Sequence, residues 1–229
     1  MLYRRELCNL KDPIDGKICL EIAGESLKNS EWTLVEGLRS AYYFDLDNFV
    51  CKRENAKKLI ELLSKNINKL SEKFEFDKVA LIDKGSIGPV GLIVLFGALT
   101  LHIEKEFIIV RPQKQLKRSA IKGNLNNNDR VLLLNDVATT GRTLFEAAEK
   151  IGECGGNVLY SLVVIDRCQG AITNLGRKGI ELFSLTSAKS IDQDEDIGQK
   201  LKEIYHSSVF PDFEPKLVDF GGSIKTIAG

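Results

Sequence analysis

Nine residues, NDVATTGRT at 135–143, join an apolar run, RVLLL, to the helical-looking LFEAAEKI. A loop that opens a helix offers free backbone N–H groups and the positive end of the helix dipole, which together suit an anion. Thr139, Thr140 and Thr143 add hydroxyl donors there. Gly141 lets the main chain approach a ligand closely or take a positive φ. Asp136 pulls the other way, because a carboxylate repels phosphate but accepts hydrogen bonds from a sugar diol. A ligand carrying both a phosphate and sugar hydroxyls satisfies both demands. The plainer alternative is that these residues only cap the helix and stabilise the turn, and an isolated T-T-G leaves that alternative open. Neither G-x-x-x-x-G-K-[ST] nor a G-x-G-x-x-G after a strand occurs in the chain.

The elements that must hold this loop follow from the period of the apolar residues. KVALID (78–83), EFIIVR (106–111), RVLLLND (130–136), NVLYSLVVID (157–166) and IELFSL (180–185) read as strands apolar throughout. They alternate with helix-like GPVGLIVLFGALTLH (88–102), TLFEAAEKIG (143–152) and AITNLGRKG (171–179). Such alternation predicts parallel strands covered on both faces, an α/β doubly wound sheet. Ligands of such sheets bind beyond the carboxyl ends of the strands, where the 135–143 loop lies. Residues 52–74 carry Ala56, Leu59, Leu63, Ile67, Leu70 and Phe74 at helical spacing, which predicts an amphipathic helix with a lysine face. Residues 194–206 read as another helix, acidic at its start and basic at its end. The first forty residues and the tail have weaker periodicity. The expected division is a hood-like segment over 1–50, a core over 51–208 and an extension over 209–229.

Composition narrows the partners. The 229 residues hold 32 Lys and Arg against 32 Asp and Glu. That balance argues against a protein bound to nucleic acid mainly through its backbone. Five scattered cysteines without a C-x-x-C pair, and no signal-peptide pattern, lead us to expect a reducing cytoplasm. His102 and His206 fit no zinc spacing. The uncharged stretch GSIGPVGLIVLFGALTLHI (85–103) approaches the ~20 apolar residues of a membrane span. Its Ser, Gly, Pro, Thr and His, and its place between two strands, favour a buried helix and no membrane.

With its strand and helix, VLLLNDVATTGRTL resembles the phosphoribosyl-diphosphate (PRPP) signature of type I phosphoribosyltransferases. Three further segments resemble the orotate phosphoribosyltransferases among them: RSAYYFDLD (39–47), FIIVRPQKQLKRSAIKGNL (107–125) and VVIDRCQGAITNLGRKGIELFSL (163–185). The likeness covers roughly 36–190, in order. It implies a type I phosphoribosyltransferase-like fold and a role for each position that matches the family's pattern. Thr139, Thr140, Gly141, Arg142 and Thr143 would hold the 5′-phosphate of PRPP, and Asp136 its ribose hydroxyls. Ser86 and Gly88 would sit in the pyrophosphate turn. Arg111 and the lid residues Lys114, Lys117 and Arg118 would meet the pyrophosphate across a homodimer interface, and Arg167 would recognise orotate. Mg²⁺ would arrive with PRPP, without a direct protein ligand.

Several positions depart from the family pattern. Asn135 replaces the first acidic residue of the signature. In the lid, Pro112 replaces a lysine, Gln115 stands where the catalytic lysine belongs, and Lys117 stands at a histidine. Val35 and Ile87 replace two further lysines. Two functions therefore stay open: pyrimidine nucleotide synthesis from orotate and PRPP, or a non-catalytic sensor or regulatory subunit that binds PRPP or a nucleotide. A third option is one half of a hetero-oligomer whose partner supplies the lysines.

Overall fold

The strand RVLLLNDVA shows why the sheet must be covered twice. Its side chains alternate in direction, so Leu132 and Leu134 enter one apolar cluster while Val131 and Leu133 enter another. The same division splits Val79 and Leu81 from Ala80, and Phe183 and Leu185 from Leu182. A computed structural model describes residue 7 and residues 14–33, 39–83, 103–111 and 120–207 of the chain.

The described chain runs α1 (Asp15–Ser26), β1 (Leu27–Thr33), β2 (Arg39–Phe44), α2 (Leu46–Val50), α3 (Arg53–Ser71), β3 (Lys78–Ile82), β4 (Glu106–Val110) and β5 (Ile121–Lys122). It continues through β6 (Arg130–Ala138), α4 (Arg142–Glu153), β7 (Asn157–Asp166), α5 (Ala171–Gly176), β8 (Glu181–Ser187), α6 (Ala188–Ile191) and α7 (Glu195–Ser207). Six strands form one sheet in the order β5-β4-β3-β6-β7-β8, parallel except for the β4–β5 pair. The α/β doubly wound expectation holds. The chain leaves β3 toward β4 on one side and returns to β6 on the other, so the topological switch lies between β3 and β6. In open sheets of this kind the crevice at that point takes the ligand.

Each face has its own helices. Leu144, Phe145, Ala147, Ala148 and Ile151 of α4 and Leu175 of α5 fill the cluster on one face. Leu59, Leu63 and Ile67 of α3, Cys19 and Ile22 of α1, and Tyr42 and Phe44 of β2 fill the other. Residues near the start of the chain thus share one core with the central strands. The helix over 52–74 is shorter than its apolar spacing suggested: it stops at Ser71, and Phe74 packs beyond it against Tyr160 and Phe183, with ring centroids 4.9 and 5.2 Å away. The antiparallel β1–β2 hairpin and α1 fall where sequence periodicity was weak. The reading of 88–102 as a helix, and the tail 209–229, lie outside the described residues. Among the described residues no helix is long and apolar enough to cross a membrane.

The amino ends of the strands are held by charge. Asp77 accepts from the Arg130 backbone N–H at 2.8 Å and from its Nε and Nη2 at 3.1 and 3.0 Å. Next to it, Lys78 is paired with Glu106. The hydrogen bonds from Arg130 hold the Asp77 carboxyl below its ordinary value of 3.8. A depressed folded-state pKa stabilises the fold above the unfolded value, and that contribution disappears as pH falls through the folded value. Between pH 7 and pH 3, the urea midpoint of the wild-type protein is expected to fall further than that of Asp77→Asn. Equal falls would remove this pair from the acid response.

Candidate functional site

Where β6 runs out, the chain must turn sharply to enter α4. Gly141 makes that turn at φ 90°. A Cβ built there would lie 2.9 Å from Leu175 Cγ, so the position requires both the left-handed conformation and the missing side chain. Thr140 is buried, and its Oγ1 accepts from the Arg142 backbone N–H at 3.4 Å. Thr140 thus stabilises the turn, as the plainer alternative expected, while the N-cap position is Gly141 and carries no side-chain cap. Arg142 turns its guanidinium to Glu146 along the outer face of α4, Nε to Oε1 3.0 Å, so what it brings to the loop is backbone. Thr139 and Thr143 are half-buried.

Asp136 does not end the strand, since β6 continues through Ala138. Its Oδ1 accepts from the Val137 N–H at 2.7 Å, and the residue is half-buried. Asn135 is turned inward, with Nδ2 donating to the Val137 carbonyl at 3.3 Å. Burial first, and the charge of Asp136 second, push the Tyr43 phenol above its ordinary 10.0. The β2 residue therefore stands within the field of Asp136.

Arg167 follows β7 on the neighbouring strand, with its N–H donating to the Ala138 carbonyl at 2.9 Å. Its side chain is 1% exposed. The guanidinium lies 4.1 Å from the centre of the Tyr42 ring, and Nη2 donates to Ser40 Oγ at 2.6 Å. Stacking and a hydrogen bond together offset part of the cost of removing this cation from water. Arg111 follows β4, on the far side of β3. Its Nε donates to Asp83 Oδ2 at 2.9 Å, and its Nη1 is buried without a hydrogen-bond partner among the described residues.

The structure thus brings Asp136, Thr139, Thr140, Gly141, Arg142, Thr143 and Arg167 together at the carboxyl ends of β6 and β7, with Arg111 on the same edge of the sheet. Ser86, Gly88, Lys114, Lys117 and Arg118, with the departures at Val35, Ile87, Pro112 and Gln115, lie outside the described residues. Sequence reasoning quoted RSAYYFDLD without assigning Ser40, Tyr42 or Tyr43 a place. It also passed over Asp83, whose only signal was an acidic residue closing an apolar strand.

No family model matches the chain. Among curated relatives, the orotate phosphoribosyltransferase of Pyrococcus abyssi is 32% identical over 162 residues, 69% of this chain and 84% of its own. That of Methanocaldococcus jannaschii is 32% identical over 167 residues, 72% of this chain and 89% of its own. The chain belongs to the orotate phosphoribosyltransferase family. Its fold is similar to the crystal structure of the Aeropyrum pernix orotate phosphoribosyltransferase, with TM-score 0.60, 24% identity, and coverage of 82% of this chain and 99% of that one. The Mycobacterium tuberculosis orotate phosphoribosyltransferase in complex with PRPP gives TM-score 0.56 at 20% identity, covering 81% and 99% of the two chains.

Within this member of the phosphoribosyltransferases, two substitutions test the geometry. Asp136→Asn should bring the Tyr43 titration down toward 10.0 without reaching it, because burial remains the larger cause. Ring-labelled tyrosine followed by carbon NMR reads this directly, and an unmoved Tyr43 would separate the two residues. Gly141→Ala should destabilise the fold by about 1–2 kcal/mol from the left-handed backbone alone, and by more from the Leu175 overlap. A thermal midpoint equal to wild type would contradict the turn.

Proposed function

We propose that this chain binds PRPP and transfers its phosphoribosyl group to orotate, releasing pyrophosphate. The observation that carries the reading is the threonine–glycine turn between β6 and α4, with Asp136 on β6 and Arg167 just after β7. Thr139, Thr140, Gly141, Arg142 and Thr143 take the 5′-phosphate through backbone N–H groups and hydroxyls. Asp136 accepts from the ribose hydroxyls. Arg167, released from Ser40, meets the carboxylate of orotate. Arg111, with Ser86, Gly88, Lys114, Lys117 and Arg118, faces the pyrophosphate.

In the reaction the bond from the ribose carbon to the pyrophosphate oxygen breaks, and a bond from that carbon to a ring nitrogen of orotate forms as the nitrogen gives up its proton, which the departing pyrophosphate can take. No covalent nucleophile of the protein is required. What the residues supply is fixed charge: cations on the leaving group, and a carboxylate beside the sugar as it gains positive character. The donors present suit Mg²⁺, since Asp136 is a half-exposed hard carboxylate while Asn135 is turned to the backbone. A hard ion that keeps several waters and takes its other oxygens from substrate needs little more. When bound it would neutralise the pyrophosphate charge.

A homodimer in the cytoplasm belongs to the same proposal, as does the division into a hood over 1–50, a core over 51–208 and an extension over 209–229. A second reading, a non-catalytic sensor or regulatory subunit for PRPP or a nucleotide, is favoured by Asn135, Gln115 and Pro112. A phosphate cradle made of backbone survives those changes, whereas losing one preorganised donor costs roughly 10²–10³ in rate.

Product formation from orotate and PRPP with Mg²⁺, measured beside calorimetric PRPP binding, separates the two. Turnover supports transfer, binding alone supports the sensor, and absence of both contradicts the site. Asp136→Asn and Thr140→Val should each weaken PRPP binding by about tenfold, the scale of one charge-assisted hydrogen bond. Arg167→Ala should affect orotate more than phosphate analogues, which competition between the two ligands reads out.

A further inference from the structure

The threonine–glycine turn is held from behind. Three successive carbonyls point at the segment that follows β7. Ala138 accepts from the Arg167 N–H at 2.9 Å, Thr139 from the Ala171 N–H at 3.2 Å, and Thr140 from the Asn174 side-chain amide at 3.0 Å. A trans peptide holds its C=O and the next N–H in one plane, pointing in opposite directions, and none of the described peptides is cis. The N–H groups of Thr139, Thr140 and Gly141 therefore face away from that segment. Consecutive N–H groups arranged so make a concavity for an anion.

The first two carbonyls are held by backbone donors, which almost any side chain at those positions would preserve. The third is met by a side chain. Asn174 lies on α5, is 1% exposed, and reaches 34 residues back along the chain to Thr140. We infer that Asn174 is a positioning residue, which fixes the Thr140–Gly141 peptide so that the Gly141 N–H is presented to a phosphoryl group. The inference rests on the phosphate-binding reading of the turn. Leu175, beside it on α5, packs where a Cβ on residue 141 would lie, so the same short helix sets both the orientation of this peptide and the room around it. Without the amide, the Thr140 carbonyl loses that donor and the peptide gains a reason to rotate. Rotation would turn the Gly141 N–H inward and take one donor from the cradle. The helix after Arg167 would thus govern how tightly the phosphate end is gripped, although no atom of Asn174 is required to touch the ligand.

The test compares the wild-type full chain with Asn174→Leu, which keeps the branch at Cγ and removes the donor. Inorganic phosphate and ribose 5-phosphate are titrated by calorimetry, and the Gly141 amide is followed by nitrogen-edited NMR. In the wild-type protein the Gly141 amide should move downfield on phosphate addition. In Asn174→Leu that movement should be lost and ribose 5-phosphate affinity should fall by about tenfold, with cooperative unfolding retained. Asn174→Ser, whose hydroxyl falls short of the Thr140 carbonyl, carries the same expectation should the leucine variant not fold. Unchanged affinity in a folded variant overturns the inference. So does weakened affinity with a wild-type Gly141 shift, because that pattern is general support of the fold. If the wild-type protein itself binds neither probe, the phosphate reading falls and the inference with it, a failure distinct from one confined to the variants.

Discussion

A strand buried on both faces has its chemistry confined to its ends. Every side chain of β6 between Val131 and Leu134 is committed to one of two apolar clusters, so no ligand reaches the strand along its length. Toward its carboxyl end, where pairing with β3 has stopped at Leu134 and pairing with β7 goes on to Ala138, half-buried polar groups appear. The parallel arrangement repeats this on the adjacent strands and places their carboxyl ends on one edge of the sheet. Arg111 after β4, Asp83 after β3, Asp136 on β6 and Arg167 after β7 share that edge for this reason. Their gathering is a consequence of burial and strand direction.

The opposite edge carries charges of another kind. Asp77 with Arg130, and Lys78 with Glu106, close pairs between the amino ends of β3, β4 and β6. These groups are matched with partners in the strands or the turns beside them. At the carboxyl edge, Arg167 is instead matched with the hairpin, through Ser40 and the Tyr42 ring. A desolvated guanidinium held by groups on a separate element ties the position of that element to its own. Any anion that approached Arg167 would compete with Ser40, and would thereby couple its binding to where β2 sits.

Much of this was legible in the residues. The strand at 157–166 has the bounds its apolar run gives, and α4 differs from its sequence reading by one residue at each end. Long runs of Val, Leu and Ile, closed by polar residues, carry a strong local signal. By contrast, α1 buries Gly16, Cys19, Ala23 and Ser26, small residues that make no apolar stripe, and β1 reads LKNSEWT without alternation. Those elements owe their form to what they pack against. Phe74 had the spacing of one more helical turn, but two aromatic neighbours on β7 and β8 took it out of the helix.

At the site the same boundary appears residue by residue. From the sequence alone came the parallel sheet, the loop at the end of its third apolar strand, and the pairing of hydroxyls, glycine and carboxylate that marks that loop for a phosphorylated sugar. These are properties of adjacent residues, and neighbouring residues determine local conformation. Only the tertiary structure decided that Thr140 Oγ1 accepts from the Arg142 N–H, that Arg111 is paired with Asp83, that Tyr43 stands in the field of Asp136, and that Asn174 grips the loop from behind. Each joins elements brought together by packing, or depends on a χ angle that packing sets, and neither is written in the order of residues along a single element.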